Sequence, residues 1–510
     1  IPRIITLEAF ALGFAYLASL ALLRNGFSSR RTTPMDIPLF GMIAALCLST
    51  AFADPPGGSV LLLTRFVALA VVFFSAGVLL RRPGDTIPII DAFTITAVFS
   101  SLVAALEVYQ PIVIFGGRFL SFWEWHIRWG ERSDGTFDDP NLLGVYLAMS
   151  VPLLICMVLR PGDARRRILY CLSLAVVLFG LRFSYSRSGI FAAAGACAFL
   201  FLLVAPRVRL FISEKYARAA VAAVAAVVIA VSALLALPSF NPKDTSLSQR
   251  MASTKGFLDE QGYRKLSFWR VGAEMMIDRP LTGVGLSNYS TWYPLYRYRV
   301  YRGREVDPKL FKGLTYDAYN DYVELGAEGG IPALAFYVAA LVLLFYRGIR
   351  YAWTPGAPPE HRWPAAGLLA ACAAFAMHSA FFQFPMKNTA AFNAFFLFAA
   401  LVFLLIDNSS GHADGRPANR TGALSREIPT RTRIILAAVF IAAAVPASLF
   451  FYSHLKCTFL TQKVSHLVKL AKYDAAAEVA LFQASGCPAY RNDKMYYFAG
   501  SIALQNGNCT

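Results

Sequence analysis

Long apolar runs separated by short polar breaks set the pattern of this chain. The runs fall at about 3–23, 37–53, 59–80, 87–107, 141–159, 168–186, 189–205, 219–238, 331–346, 364–384, 388–406 and 434–452. A helix rises 1.5 Å per residue, so about 20 apolar residues cross a hydrocarbon core of about 30 Å. Each run therefore predicts a transmembrane helix. The fold expected is an all-α polytopic membrane protein with about 12 transmembrane helices. The same pattern divides the chain into an N-terminal transmembrane bundle (1–238), a large outward loop with helices of its own (239–330) and C-terminal transmembrane helices (331–406). A polar linker (407–433), a last span (434–452) and a helical tail (453–510) follow.

Composition agrees. Of 510 residues, 57% are hydrophobic and 15% charged, against about 25% charged in soluble domains. A net charge of +17 could suggest nucleic acid, but in a membrane protein basic residues mark cytoplasmic loops. The short basic breaks do alternate: Arg24, Arg30 and Arg31; Arg81 and Arg82; Arg160 and Arg165 to Arg167; Arg207, Arg209, Lys215 and Arg218; Arg347, Arg350 and Arg362; and Arg416 to Arg433. The positive-inside rule places all of these in the cytoplasm, so 108–140, 239–330 and the tail face outward and no nucleic-acid partner is expected. Ile1 then lies outside. The chain begins without Met, and either an earlier span or a cleaved signal peptide is expected before it.

Cys47, Cys156, Cys171, Cys197 and Cys372 sit in spans as small apolar residues. Cys487 and Cys509 lie in the outward tail, where a bridge would persist. No Cys or His spacing has the form of a metal site, so neither a metal nor another cofactor is expected. The tail stretches "VSHLVKLAKYDAAAEVALFQASG" and "NDKMYYFAGSIALQNGN" resemble tetratricopeptide-type helix pairs. They read as a small helical cap on the outer face, or else as a docking module for an envelope assembly protein.

Charges inside spans gather at the outward ends: Arg65, Glu107, Arg182 and Arg187, with only Asp91 near an inner end. Ionisable groups in lipid usually face the bundle interior and pair, or line a cavity. Arg65 with Glu107 is the expected structural pair, and Arg187, in the turn "SYSRSG", the expected functional group. In "SFWEWHIRWGERSDGTFDDPNLLG" the tryptophans suit the headgroup region, and Asp138-Asp139-Pro140-Asn141 caps the following span. In "YRKLSFWRVGAEMMIDRPLTGVGLSNY" Leu266, Trp269, Ala273, Met276 and Ile277 suggest an apolar helix face decorated by Arg264, Lys265 and Arg270. The tyrosines of "YSTWYPLYRYRVYRGR" read equally as interface anchors and as sugar-stacking platforms. In "YDAYNDYVELGAEGGIPAL" a polar helix, 317–328, ends at Gly329-Gly330, and Pro332 opens a span. Asn320, Glu324 and Glu328 repeat at i, i+4 and share one face, so this helix is expected to lie along the outer surface, over a cavity.

The ordered set "GTFDDPNLLGVYLAMSVPL", "SYSRSG", "WRVGAEMMIDRPLTGVGLSNY", "YNDYVELGAEGGIPAL" and "HSAFFQFPMKNTAAFNAFFLFAAL" resembles the O-antigen ligase and O-antigen/exopolysaccharide polymerase superfamily across about residues 135–405. The resemblance implies a multi-span glycosyltransferase of GT-C-like architecture. It would need no metal, act at the periplasmic face of a bacterial inner membrane and use an undecaprenyl-diphosphate-linked glycan. On that reading Arg187, Arg264, Lys265, Arg270 and His378 are substrate-binding candidates, because cations must stabilise a departing diphosphate. Tyr319, Asn320 and Glu324 are the catalytic candidates on the acceptor side. His378 also reads as a packing histidine, and Glu324 as a solvated helix face. Many relatives carry His where this chain has Tyr319; a phenol with a pKa near 10 is a poor base at neutral pH. Tyr319 would then only orient the acceptor, or Glu324, Asp321 or His126 would take the proton. That departure favours polymerase over ligase. A polysaccharide transporter or flippase, and a scaffold, are the rivals; a transporter should show broken helices with polar groups at the midplane.

Overall fold

The computed structural model describes residues 33–80, 82–109, 133–137, 139–207, 260–302, 317–355, 357–381, 386 and 389–413. The expected spans at 3–23, 219–238 and 434–452, the stretch around His126 and the tryptophans, most of the linker, the tail and its Cys487–Cys509 pair lie outside these residues.

Eleven α-helices and two 3₁₀ turns are present, and there is no strand among the described residues. In chain order the helices are α1 (Asp36–Ala51), α2 (Pro56–Leu79), α3 (Thr86–Tyr109), α4 (Pro140–Leu159), α5 (Ala164–Ser184), α6 (Arg187–Val204), α7 (Glu260–Asp278), α8 (Tyr289–Tyr301), α9 (Asp321–Ala352), α10 (Pro359–Phe381) and α11 (Thr389–Ala413). Eight of them, α2 to α6 and α9 to α11, are long and apolar enough to cross a membrane. The protein is an all-α polytopic membrane protein.

Local chemistry starts these helices where the sequence suggests. Asp139 caps α4 by accepting from the Asn141 amide at 2.7 Å, with Pro140 at the first position. Asp163 accepts from Arg165 N to cap α5, and Ser186 accepts from Gly189 N to cap α6. Helix α4 is the hub. Every residue from Asn141 to Val158 is buried, against α3, α5, α6 and α10. Its crossing with α6 is very close: a Cβ on Gly189 would stand 2.9 Å from the backbone of Gly144. Small residues are what allow helices to approach this tightly in a membrane, where lipid competes with every larger apolar contact.

The helices alternate in direction, so their ends form two layers. One layer holds Arg82, Arg160, Arg165, Arg166, Arg167, Arg347, Arg350 and Arg362. It is tied together by Trp353 Nε1 donating to Leu203 O (2.8 Å) and Arg160 Nε donating to Glu360 O (3.0 Å). The other layer holds the α1–α2 and α5–α6 corners, the start of α9, the end of α10, and helices α7 and α8.

Helix α9 is two helices joined at Gly330, whose backbone (φ 79°, ψ 170°) is not helical. The break falls at the Gly329-Gly330 pair that ends the polar helix in the sequence. A Cβ on Gly330 would stand 2.5 Å from Leu281 O. Position is where expectation and structure part. The polar half is not laid over the outer surface, for Glu324 to Gly330 are all buried. The turn after α7 docks on it: Val284 N and Gly285 N donate to Ala327 O (2.9 Å) and Glu328 O (3.0 Å), and Ile331 N donates to Pro280 O (2.8 Å). From the α1–α2 corner Ser49 donates to Glu328 O (2.7 Å) and Ser59 to Leu286 O (2.6 Å), while Asn288 reaches Pro55 O (2.9 Å).

The face of α7 is only partly the one expected: Trp269 and Met276 pack against the core, but its centre is shifted. Phe268, Val271 and Met275 are buried, whereas Leu266 (41%) and Ile277 (74%) are exposed. The buried face meets α9 and α8, where Tyr289, Tyr293 and Tyr296 complete a second small core. Those three tyrosines are therefore neither interface anchors nor sugar platforms; at i, i+4 and i+7 they form one buried face of α8. Tyr298 of the same run is exposed.

Candidate functional site

The α5–α6 corner is built by "SYSRSG". Tyr185 takes a left-handed conformation (φ 47°) to end α5. Ser184 Oγ donates to Leu181 O (2.8 Å) and receives Ser186 N (3.2 Å), which holds the turn on both sides. The Arg182 guanidinium is buried against the Tyr185 ring at 4.7 Å. Arg187 is then the first residue of α6 and is partly exposed. A helix N-terminus already carries partial positive charge, so a guanidinium there is intrinsically repelled and an anion is its natural complement.

The next residue, Ser188, reaches across to α10, where its Oγ lies 3.1 Å from His378 Nε2. The His378 side chain is almost fully buried at 1% exposure. Lys265 arrives at the same place from α7. Its ammonium donates to Phe381 O (3.2 Å), at the end of α10, and sits 5.9 Å from the centre of the Tyr319 ring. Tyr319 itself has φ 55° and stacks on Phe268 at 5.7 Å. The structure thus brings the α5–α6 corner with Arg187, then His378, Lys265 and Tyr319, to one end of the bundle from four separate parts of the chain.

The remaining candidates sit differently. Asn320 is the N-cap of α9, its Oδ1 accepting from Tyr322 N (3.0 Å) and Val323 N (3.1 Å). The carboxylates of the polar half hold backbone: Glu324 accepts from Ala318 N (2.9 Å), Asp321 from Met386 N (3.2 Å) and Glu328 from Tyr289 N (3.0 Å). Glu324 is 4% exposed, so it is not a solvated face. It fixes the 318–320 turn that presents Tyr319. Burial first, and the nearby Glu324 carboxylate second, push the Tyr289 phenol well above its ordinary value. It stays a neutral donor, to Phe268 O at 2.7 Å. Arg270 leaves α7 on another side from Lys265 and lies 5.9 Å over the Tyr301 ring. The side chains of Arg264 and Glu107 lie outside the described residues, and with the latter the expected Arg65–Glu107 pair.

Sequence reasoning missed Ser186 and Ser188 and read Asn141 only as part of a helix cap. Ser186 donates to Asn141 Oδ1 (3.1 Å) and touches Ser188 (3.2 Å). The available signal was the alternation of three serines in "SYSRSG" at a turn between spans, where hydroxyls need partners. Among the described residues no group of three His, Cys, Asp or Glu side chains is placed to hold a metal ion. This end of the bundle holds two cations, Arg187 at the start of α6 and Lys265 of α7, the latter near the Tyr319 phenol.

No curated protein matches this chain. Residues 172–338 match the family model described as O-antigen ligase. That stretch runs from α5 into α9 and contains Arg187, Lys265, Tyr319, Asn320 and Glu324, while His378 lies beyond it. Over these residues, about a third of the chain, the protein is similar to the O-antigen ligase family.

Proposed function

We propose that the protein is a metal-independent membrane glycosyltransferase that polymerises an undecaprenyl-diphosphate-linked glycan at the periplasmic face of a bacterial inner membrane. The observation that carries this reading is the convergence of Lys265 and His378 on the corner that holds Arg187. Alternating basic ends support the orientation, since the arginine-rich layer is opposite to α7 and α8 and belongs in the cytoplasm. In the reaction an acceptor hydroxyl attacks the anomeric carbon of the donor, the bond from that carbon to the diphosphate oxygen breaks, the diphosphate leaves with the electron pair, and the hydroxyl proton passes to the departing diphosphate or to water. Arg187 and Lys265 take the charge that develops on it, where fixed cations in a poorly hydrated site act most strongly. Tyr319, oriented by Phe268 and by the turn that Asn320 and Glu324 hold, lies beside Lys265 and would position the acceptor.

A second reading is ligation of the finished glycan to lipid A-core. The description of the matching family favours it, whereas Tyr319, at a position that is His in many ligase relatives, favours polymerisation. Surface glycan from a deletion strain separates them. Loss of long chains with single repeats retained supports polymerase, and full-length polymer left on its lipid carrier supports ligase. Precursor accumulating on the cytoplasmic side would overturn both in favour of a flippase. Complementation with Arg187→Ala should then give a loss on the order of 10²–10³-fold in transfer with normal membrane insertion; wild-type transfer would remove Arg187 from the mechanism.

A further inference from the structure

Helix α7 carries two apolar faces. One, with Phe268, Val271 and Met275, belongs to the second small core. It runs alongside the polar half of α9, where Phe268 stacks on Tyr319, Gly272 lies against Val323 and Met276 lies against Gly326. The other face holds Leu266, Arg270, Ala273 and Ile277. These stand at i, i+4, i+7 and i+11, so they form one stripe on the side opposite the core. Leu266 and Ile277 are exposed, and so is Leu281, three residues beyond the end of the helix.

Both ends of this stripe meet the ends of membrane spans. At one end the Lys265 ammonium donates to the carbonyl of Phe381, the last residue of α10, whose own side chain is exposed. At the other, Pro280 O receives Ile331 N, directly after the break at Gly330. Ile331 opens the exposed line Ile331, Ala335, Val338, Val342 and Tyr346 along the spanning half of α9. That line has helical spacing and is the lipid face of the span. Helix α7 has 19 residues and is about 28 Å long. Tied near both ends to the level where α10 and α9 leave the bilayer, it lies along the membrane surface and does not stand on it. Its apolar stripe runs from one lipid-facing span end to another, and a continuous exposed strip of this kind marks a contact surface.

We infer that α7 is an interfacial helix whose stripe of Leu266, Ala273 and Ile277, continued by Leu281, rests in the phospholipid leaflet on the side opposite the arginine-rich layer. Helices of this type bury their apolar face about 5–10 Å into the boundary between headgroups and acyl chains. Arg270 fits such a stripe, because a long cationic side chain lays its stem along apolar surface and lifts its head to the polar level. Its guanidinium turns aside to the Tyr301 ring, at 5.9 Å. The partner of this face is the lipid itself, and the contact holds whatever group the protein transfers. Its effect is to set the height of Lys265, at the far end of the same helix from Ile277, relative to the lipid phosphates.

The test is spin-label power saturation on the full chain in vesicles of phosphatidylethanolamine and phosphatidylglycerol. The 8 native cysteines are replaced by alanine, and a label is placed through Ala273→Cys, Ile277→Cys or Leu281→Cys. Val338→Cys, on the lipid face of α9, is the membrane reference, and Gly162→Cys, exposed in the arginine-rich layer, is the water reference. The ratio of collisions with oxygen to collisions with a water-soluble nickel chelate should be severalfold higher at the three α7 sites than at Gly162, and should approach the ratio at Val338. A ratio equal to that at Gly162 overturns the inference, since the stripe then faces water. Labels shielded from oxygen and nickel alike overturn it too, since a second protein surface then covers the stripe. Should the cysteine-free chain fail to fold, the unaltered chain answers the same question by photolabelling from a diazirine carried on a lipid acyl chain. Adducts at Ile277 and Leu281, at a yield comparable to that at Ile331, uphold the contact; adducts at Ile331 with none at Ile277 or Leu281 refute it.

Discussion

Replacing Gly189 by alanine adds one methyl group at a very close helix crossing of the bundle. The new Cβ would lie 2.9 Å from the Cα, C and O atoms of Gly144. These are backbone atoms of the buried helix α4 and cannot rotate away as a side chain would. Helices α4 and α6 must separate by several tenths of an ångström, and overpacking of this kind typically costs 1–3 kcal/mol. The same shift pulls Ser186 and Ser188 off Asn141 and His378, so transfer should fall together with stability. Gly77, in α2, is the matched control, for a Cβ there meets nothing within 4 Å. Its replacement by alanine removes the helix penalty of glycine and should stabilise by roughly 0.5–1 kcal/mol. Both variants would be followed in detergent by the midpoint of thermal aggregation and by the yield of folded protein. A Gly189→Ala protein as stable as wild type, or a Gly77→Ala protein destabilised as strongly, would refute the packing argument.

Further outcomes are expected. Asn320→Ala removes the acceptor for two amides and should destabilise by about 0.5–2 kcal/mol; Asn320→Ser should recover most of it in the same unfolding assay. Lys265→Ala should reduce transfer while leaving folding near wild type, because its bond to Phe381 O lies at an exposed position; unchanged turnover would detach Lys265 from the site. The Tyr296 phenol is pushed up to about 12, by burial first and then by its hydrogen bond to Asp278. A raised value means its stabilising contribution is complete below about pH 10 and is lost as pH rises toward 12. Ultraviolet titration of wild type against Tyr296→Phe checks this, and a phenol titrating near 10 would contradict it. The Asp278 carboxyl is held below its usual range by Tyr296 and, more weakly, by Arg299. Its contribution is present above about pH 4 and is lost as pH falls further, so Asp278→Asn should flatten the acid limb of the stability profile.

The spans were legible because bilayer thickness imposes a length that few other structures need, and the runs from 59–80 to 189–205 and from 331–346 to 388–406 correspond to α2 to α6 and α9 to α11. The break at Gly330 and the cap at Asp139 were legible because each depends on chemistry within a few residues. Helix α7 was misread for a physical reason. A period of 3.6 identifies the buried face when only one side of a helix meets apolar material, and beside a membrane both sides can carry apolar residues. Leu266 and Ile277 therefore looked like core, while Phe268, Val271 and Met275 are the core. The alternative reading of Glu324 as a solvated face failed because its partner, Ala318 N, belongs to a turn with no periodic signal. Of the site, the cations at Arg187 and Lys265 stood out as charges out of place. The link from Ser188 to His378 spans 190 positions, and only the crossing of α6 with α10 brings the two together.

The clamping of the α7–α8 unit has a consequence for how bulky molecules get in and out. Its turn is fastened to both sides of the Gly330 break and to the corner between α1 and α2. Swinging it aside like a flap would rupture all of those bonds at once and strip cover from the acids beneath. On the function proposed above, a lipid-linked donor and its acceptor would have to reach the site without displacing this unit.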